Sequence, residues 1–559
     1  MLKFSIQYIF LLLIAGYSFS VSAAIKMDKD SVAKKQEKGG SPDQLKLITA
    51  KQEYLRGNIK KSYKLYSEVL ISKPQDASIN FAAGECALLL SNYTKAIEYL
   101  EKSKANGGEK NPKLHLFLGQ SYHMDEQLDK ALEQFSVYKS KVKSAKEIKL
   151  SNVDRYIEQC NTAKDLMKKP LEVVVENAGE NINSIYEDKG PVLAPTGKAL
   201  YFNSRRPANK YSIVDMDGDK KYFDDAYVSQ LDENTKQWNL AEPLPGNIND
   251  PESHDAVTSI SFESDQLYLY KNAEFGTKGG DIFISLLSPS GKWETPSPIK
   301  DINTPYYEGS AFILPGGGTL YYVSEEKSGT GKGDICMIQR ISGNDWEKPV
   351  NLGPVVNSKE DEAGVYMAPD GKTLFFSSKG YNSMGSYDIF KTVNDNGQWS
   401  APVNVGYPIN TVWRDGPITF STDGKTAYIA SDRKGGMGET DIYRIDLKNV
   451  EFFKPFKPIV KKSTKQDVAG LSILSGLVMD VEAGQAVETD VVIFDEYGNR
   501  ITSVKSNLDG EFTVTLPGDK KYEIRIDTKQ HKSLKERFYL PVDKEVNFVL
   551  NKEVQLHRK

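Results

Sequence analysis

The chain has 559 residues, enough for three or four domains, and its 72 basic and 76 acidic side chains leave a formal net charge of −4. A field that weak does not recruit nucleic acid. With 5 histidines against 30 tyrosines, the composition also argues against a catalytic or zinc site built from histidine.

Residues 1–24 read as a signal peptide. Lys3 stands in a short basic start, an apolar run extends from Phe4 to Ala15, and small residues end in Ser22-Ala23-Ala24. The run is too short to span a bilayer, and no later stretch approaches the roughly 18 apolar residues a transmembrane helix needs. The expected protein is therefore exported, without a transmembrane segment. It would lie in the periplasm or peripheral to the outer membrane, and no Cys follows the signal to carry a lipid. Residues 25–40 are rich in Lys, end in Gly, and read as a flexible leader.

Helical periodicity covers residues 41–169. The series Ala50, Tyr54, Gly57, Ser62, Tyr66 returns as Gly84, Ala87, Tyr93, Ala96, Leu100 and again as Gly119, Tyr122, Leu128, Ala131, Phe135. A step of about 34 residues is the register of the tetratricopeptide repeat, in which small residues let paired helices approach and aromatics fill between them. Ser151 to Lys168 is expected to be a solvated capping helix, and the array to offer a concave face to a peptide or partner helix. His115 and His123 read as packing residues. Cys86, Cys160 and Cys336 read as small apolar fillers.

Residues 170–450 repeat at a period of about 54. Asp225, Asp281, Asp334, Asp388 and Asp441 each open an apolar run, Trp238, Trp293, Trp346 and Trp399 follow, and Asn249, Asn303, Asn357 and Asn410 close the units, with Asn183 as an earlier copy. Turns such as Asp370-Gly371 and Asp423-Gly424 join alternating apolar stretches, the strongest short-range hairpin signal. Each unit thus predicts four short strands, one blade of a β-propeller. Five blades are expected, or six if residues 171–183 and 448–457 build a further partial unit. The last unit has no Trp after Tyr443 to Leu447, so Leu171 to Val175 is expected to supply its outer strand and clasp the two ends. Five residues past each closing Asn stand Asp188, His254, Glu308, Glu362 and Asp415, a column that either rings the channel mouth or receives orphan N–H groups at a repeated turn. An insertion, Pro207 to Lys221, carries Asp215, Asp217 and Asp219. Its sixth and twelfth positions, Lys220 and Ala226, depart from a calcium loop, so a solvated loop is expected.

Residues 451–468 have the Lys and Pro content of a linker. Residues 469–559 alternate short apolar runs with turns such as Asp509-Gly510 and Pro517-Gly518, a small β-sandwich without a nucleophile, base and oxyanion set.

The unit from Gly364 to Asn410, with Ala368-Pro369-Asp370-Gly371-Lys372, Tyr387-Asp388-Ile389-Phe390 and Gln398-Trp399-Ser400-Ala401-Pro402, resembles the TolB-type, WD40-like propeller repeat of Bacteroidetes envelope proteins. The C-terminal segment, through Gly476-Leu477-Val478, Asp509-Gly510-Glu511-Phe512 and Leu516-Pro517-Gly518, resembles the carboxypeptidase regulatory-like, transthyretin-type sandwich. In this order the parts resemble the PorE-like group of envelope proteins, here ending at Lys559 without that group's OmpA-like domain, so peptidoglycan is not expected among the partners. The resemblance implies a non-catalytic scaffold or adaptor supporting type IX secretion or gliding machinery through contacts with envelope proteins. No catalytic, cofactor or metal residue is expected. A propeller-based hydrolase or glycan-active enzyme, and a sensor of a small ligand or metal, are the alternatives from other classes.

Overall fold

The computed structural model of the protein describes residues 41–453 and 471–559, apart from 217, 263, 273–278, 289, 315–316, 327–328, 343–344, 396, 496–497, 518–519 and 541–548. The expected signal peptide and leader, most of the expected linker, and Asp217 lie outside the described residues. By contacts the chain forms two units: Met1–Ile313 with Leu320–Ile338 and Pro349–Pro455, and Leu314–Thr319 with Gln339–Lys348 and Phe456–Lys559.

Eight α-helices open the described chain: α1 (Pro42–Leu55), α2 (Ile59–Ser72), α3 (Ala77–Leu89), α4 (Tyr93–Ala105), α5 (Pro112–Met124), α6 (Leu128–Lys141), α7 (Ala145–Ser151) and α8 (Val153–Met167). Ser41 and Gln44 form a capping box on α1, and Asp76, Asn92 and Asn111 cap α3, α4 and α5 through their side chains. The small residues of the repeat are there for approach: a Cβ on Gly84 would collide with Leu100, and one on Gly119 with the Phe135 ring. Both histidines of α5 are buried. His115 meets Gln134, while His123 faces the β region. The short α7 was not expected from the sequence, which shows no apolar periodicity there.

Five antiparallel sheets follow. β1 (Val174–Asn177) precedes the first, which runs β2 (Asp188–Leu193), β3 (Ala199–Ser204), β4 (Asp225–Gln230), β5 (Glu242–Pro243). The second runs β6 (Asp255–Ile260), β7 (Gln266–Lys271), β8 (Asp281–Leu286), β9 (Ser297–Pro298). The third is built from β10 (Glu308–Ile313), β11 (Thr319–Ser324), β12 (Asp334–Ser342), β13 (Asp345–Trp346) and β14 (Val350–Asn351). The fourth is built from β15 (Glu362–Met367), β16 (Thr373–Ser378), β17 (Asp388–Asp395), β18 (Gln398–Trp399) and β19 (Val403–Asn404). The fifth holds β20 (Asp415–Phe420), β21 (Thr426–Ser431) and β22 (Asp441–Asp446), with β1 outside β22. Val174 pairs with Asp446 and Asn177 with Tyr443, so the start of the region adds a strand to the fifth sheet, three residues later than the run expected from Leu171 to Val175.

The innermost strands touch in a cycle: β2 meets β6, β6 meets β10, β10 meets β15, β15 meets β20, and β20 returns to β2. Each innermost strand slips register once against its hairpin partner, and the added twist of such a bulge suits strands converging on an axis. The hairpin turns use left-handed residues, Gly197, Gly371 and Gly424 at φ near 70°, with Ser264 at 61° in the second sheet. Between the third, fourth and fifth sheets Phe312, Tyr366 and Phe420 pack ring on ring at 4.9 and 5.3 Å, and the Tyr366 hydroxyl donates to the Phe420 carbonyl. Burying each such ring contributes roughly 2 kcal/mol.

In the second unit β23 (Leu471–Asp480) pairs with β24 (Gln485–Ala486). A second sheet holds β25 (Asp490–Asp495) and β26 (Arg500–Lys505), and β27 (Glu511–Pro517) returns to β23. β28 (Lys520–Ile526) and β29 (Leu534–Leu540) complete the second sheet, and β30 (Val549–Leu556) runs parallel to β23. Leu474, Val478, Phe512 and Val554 from one sheet share a core with Ile493, Tyr522, Ile524 and Leu540 from the other.

Candidate functional site at the mouth of the ring

The residues that recur in every repeat turn inward. Asp188, Glu308, Glu362 and Asp415 are the first residues of β2, β10, β15 and β20, and all are at most 2 % exposed. Each carboxylate accepts the backbone N–H and the hydroxyl of the Ser or Thr four residues earlier: Ser184, Thr304, Ser358 and Thr411. This is the turn-capping role, and it leaves no oxygen facing solvent. His254 does not belong to this column. The second sheet has one extra residue after Asn249, so Asp255 opens β6 and receives the Asp250 N–H, the Ser253 hydroxyl and the Lys271 ammonium.

Arg206 and Arg433 neutralise Asp188 and Asp415 at 2.6 Å. The third and fourth sheets supply no such cation among the described residues. Burial accordingly raises the Glu308 carboxyl and pushes Glu362 up to about 7, against the pull of its Ser358 and Ser378 hydrogen bonds. Burial also raises Asp255, despite Lys271.

The closing asparagines act as inserted strand residues. Asn183, Asn249, Asn303, Asn357 and Asn410 each accept the N–H and donate to the C=O of one residue on the sheet's third strand: Ile442, Ala226, Ile282, Ile335 and Ile389. The aspartates that open β12, β17 and β22 receive two successive loop N–H groups, as Asp388 does from Met384 and Gly385. Constant residues therefore meet constant backbone needs.

One position earlier, the residue type changes in every repeat. Glu187, His254, Tyr307, Asp361 and Arg414 precede the five innermost strands, and all are half-buried. Their carbonyls receive the residues that follow the second strands, Arg205, Asn272, Glu325, Lys379 and Asp432, so these positions crowd one mouth of the ring. Lys189 Nζ lies 3.1 Å from Asp224 and 3.3 Å from Glu187, and His254 Nδ1 lies 2.9 Å from Asp224. Burial alone would raise the Asp224 carboxyl, but the Lys189 ammonium, His254 and the Arg205 guanidinium hold it far below the usual carboxylate range. Across the mouth, Lys379 pairs with Asp361 at 2.6 Å, and both Lys379 and Arg414 lie over the Tyr387 ring. The field of Arg414 reaches Glu187 and Lys189 on the adjoining first sheet and Tyr307 ahead of the third. The result is a basin in which all five sheets place a different polar or aromatic group.

Chemically the basin is a set of mutually compensated acids and bases. His254 Nε2 faces Asp215 at 3.5 Å, and Asp219 is tied to Arg205, so the two described aspartates of the insertion are engaged by neighbouring side chains. No group of three or more His, Cys, Asp or Glu among the described residues is arranged to hold a metal ion. The three thiols are buried, and burial pushes Cys86 up to about 11 and Cys160 and Cys336 up to about 12, which makes them poor nucleophiles.

The expected capping helix is not left in solvent on its second face. From α8, the Arg155 guanidinium donates to the carbonyls of Lys379, Gly380 and Tyr381 and to the Ser383 hydroxyl, and Gln159 donates to the Gly385 carbonyl. From α5, His123 Nε2 donates to the Met384 carbonyl at 3.0 Å, with burial lowering its ring to about 4 and keeping it neutral. Met384, Val412 and Trp413 are buried within the array's own core, and Lys434 pairs with Asp125 at the end of α5. Three side chains thus hold five loop carbonyls, and the array sits on the mouth side of the fourth and fifth sheets.

No protein-family description matches the chain, and no curated protein matches it. Among solved structures it is similar to the Yersinia enterocolitica type III secretion chaperone SycD in complex with a peptide of the translocator YopD, at 17 % identity over 22 % of this chain and 97 % of that one, TM-score 0.20. It is also similar to the Pseudomonas aeruginosa periplasmic gluconolactonase PpgL, at 11 % identity over 65 % and 88 %, TM-score 0.27. A structure described as a glycoside hydrolase matches at 10 % identity over 53 % and 98 %, TM-score 0.36. These likenesses are to a tetratricopeptide-like chaperone and to two enzymes, and at such scores none carries an argument about activity.

The second unit brings Asp480 to a Thr and a His that lie 51 residues or fewer further along the chain and three apart from each other. Thr528 Oγ1 lies 2.8 Å from His531 Nδ1, and His531 Nε2 lies 3.0 Å from Asp480. The same Thr oxygen accepts the His531 N–H, and Asp480 also holds the Arg558 guanidinium at 2.8 Å, so the set anchors the last residues of the chain. Sequence reading missed this clasp, the Met384 joint and the mouth column. Only the column left a signal: a position that varies between internal repeats while its neighbour stays acidic is not serving the repeat's backbone.

Proposed function

We propose that the protein is a non-catalytic adaptor of the bacterial envelope, exported to the periplasm or the periplasmic face of the outer membrane, that supports type IX secretion or gliding machinery through protein contacts. In this reading residues 41–169 form a tetratricopeptide array, residues 170–450 a five-bladed TolB-type propeller, and residues 469–559 a carboxypeptidase regulatory-like sandwich joined through 451–468. The carrying observation is the contrast between columns: recurring carboxylates are buried and consumed by turns, whereas the one column that differs in every sheet, Glu187, His254, Tyr307, Asp361 and Arg414, is half-buried at one end of the innermost strands. Such a surface reads an individual partner. No helix among the described residues is long and apolar enough to cross a membrane. The test is a photoreactive residue at position 307 in intact cells. A discrete crosslinked envelope protein, lost on Arg414→Glu, is expected, and the absence of any crosslink with folded protein overturns the reading.

The pairing of His254 with Asp224 favours one second reading, a hydrolase acting at the mouth. A turnover assay on glycan and ester substrates with His254→Gln separates the two. Activity abolished by that change in a folded protein would replace the adaptor reading.

A further inference from the structure

The fourth and fifth sheets carry the same loop in two different states. Ser378 to Asp388 and Ser431 to Asp441 have equal length, and each ends in a Met-Gly pair followed by two residues and the strand-opening Asp. Their anchors coincide. Ser378 Oγ and Ser431 Oγ each receive the N–H two residues on, and Asp388 and Asp441 each receive the Met and Gly N–H groups. In the fourth sheet the loop is covered: Met384 is fully buried against the array, and its carbonyls are held by Arg155, Gln159 and His123. In the fifth, Met437 is 43 % exposed, and among the described residues no hydrogen bond reaches the carbonyls of Met437 or Gly438, the counterparts of those that His123 and Gln159 hold.

The open loop is held in place for display. Lys434 pairs with Asp125 of the array, so the loop continues the established interface, and Glu439 pairs with Lys221 of the first sheet's insertion, which carries the exposed Tyr211 and Met216. We propose that residues 432–439 are a docking element for an α-helix of a separate protein, seated as α8 is seated on residues 379–386. That helix would present a guanidinium or carboxamide to the free carbonyls and a shallow apolar stripe to Met437. A second copy of this chain is the poorer occupant, because its own α8 is engaged on its own Met384 loop.

The inference rests on the adaptor reading, but its test is separate from the crosslinking experiment, which probes the mouth and not this loop. A stapled helical peptide of residues 152–168 is titrated into the full-length protein and binding is read by fluorescence anisotropy. Saturable binding is expected, weakened at least tenfold by Met437→Asp in the protein and by Arg155→Ala in the peptide, with the protein's circular dichroism unchanged. No binding, or binding indifferent to Met437→Asp, overturns the proposal. Sedimentation velocity of the protein alone is the companion measurement, and a dimer dissolved by Met437→Asp would overturn it in favour of self-association.

Discussion

Glu362 shows what a single buried carboxyl does when no cation accompanies it. Folded, it keeps its proton to about pH 7; unfolded, it releases it near 4.5. Between those values the folded state binds more protons, so stability falls as pH rises through that window. Asp388, raised to about 7 by burial, adds a slope of the same sign. His123, lowered to about 4 by burial, opposes them below pH 6.5, and the two carboxyls outweigh it: urea midpoints at pH 5 and pH 8 are expected to differ in favour of pH 5, and Glu362→Gln is expected to remove up to about 3 kcal/mol of that difference. Asn410 is a second case. Its fully buried carboxamide pairs with both backbone groups of Ile389, and because the Ile389 carbonyl keeps the Val405 N–H, Asn410→Ala leaves the Ile389 N–H without a partner and is expected to cost about 1–3 kcal/mol in chemical denaturation. At this scale the sequence showed which residues recur, because period is a property of order along the chain. It could not show that an inserted residue moves the carboxylate from position 254 to 255, since that shift is resolved only by which atom meets the turn.

Among elements, hairpins and helix pairs were readable because their signals are local: Asp-Gly turns, alternating apolar residues, and Gly84 and Gly119 where helices cross. The outer strand of the last sheet was readable too, as a missing Trp and a spare β run. The joint between α8 and the fourth sheet was not, because Arg155 and Met384 are far apart in sequence and each reads alone as an ordinary surface residue. Arg155→Ala removes a charged donor from carbonyls of the Lys379–Ser383 loop and is expected to cost about 2–4 kcal/mol at the joint, seen as a split of one calorimetric transition into two. Glu176→Pro removes the β1 N–H that faces Arg444 in the ladder with β22. The expected outcome is a lower Tm and concentration-dependent aggregation through the uncovered edge of β22, measured by light scattering.

For the whole molecule, the division into two contact units makes a plain expectation. Asp480→Ala releases His531 and Arg558, and it should lower the melting of the C-terminal unit by several degrees while leaving the transition of the helical and ring residues in place, as followed by calorimetry. A helical array followed by repeated antiparallel sheets was legible at this scale since composition and period report on layers of structure. Which faces of the layers meet was not, for contacts of that kind have no period.

The strand that completes the last sheet is made first. Asn177 and its partner Asp441 stand 264 residues apart, so during synthesis β1 leaves the ribosome long before any strand exists to receive it. Every intermediate sheet must form with that seat vacant, and the final step is a loop closure of very high contact order.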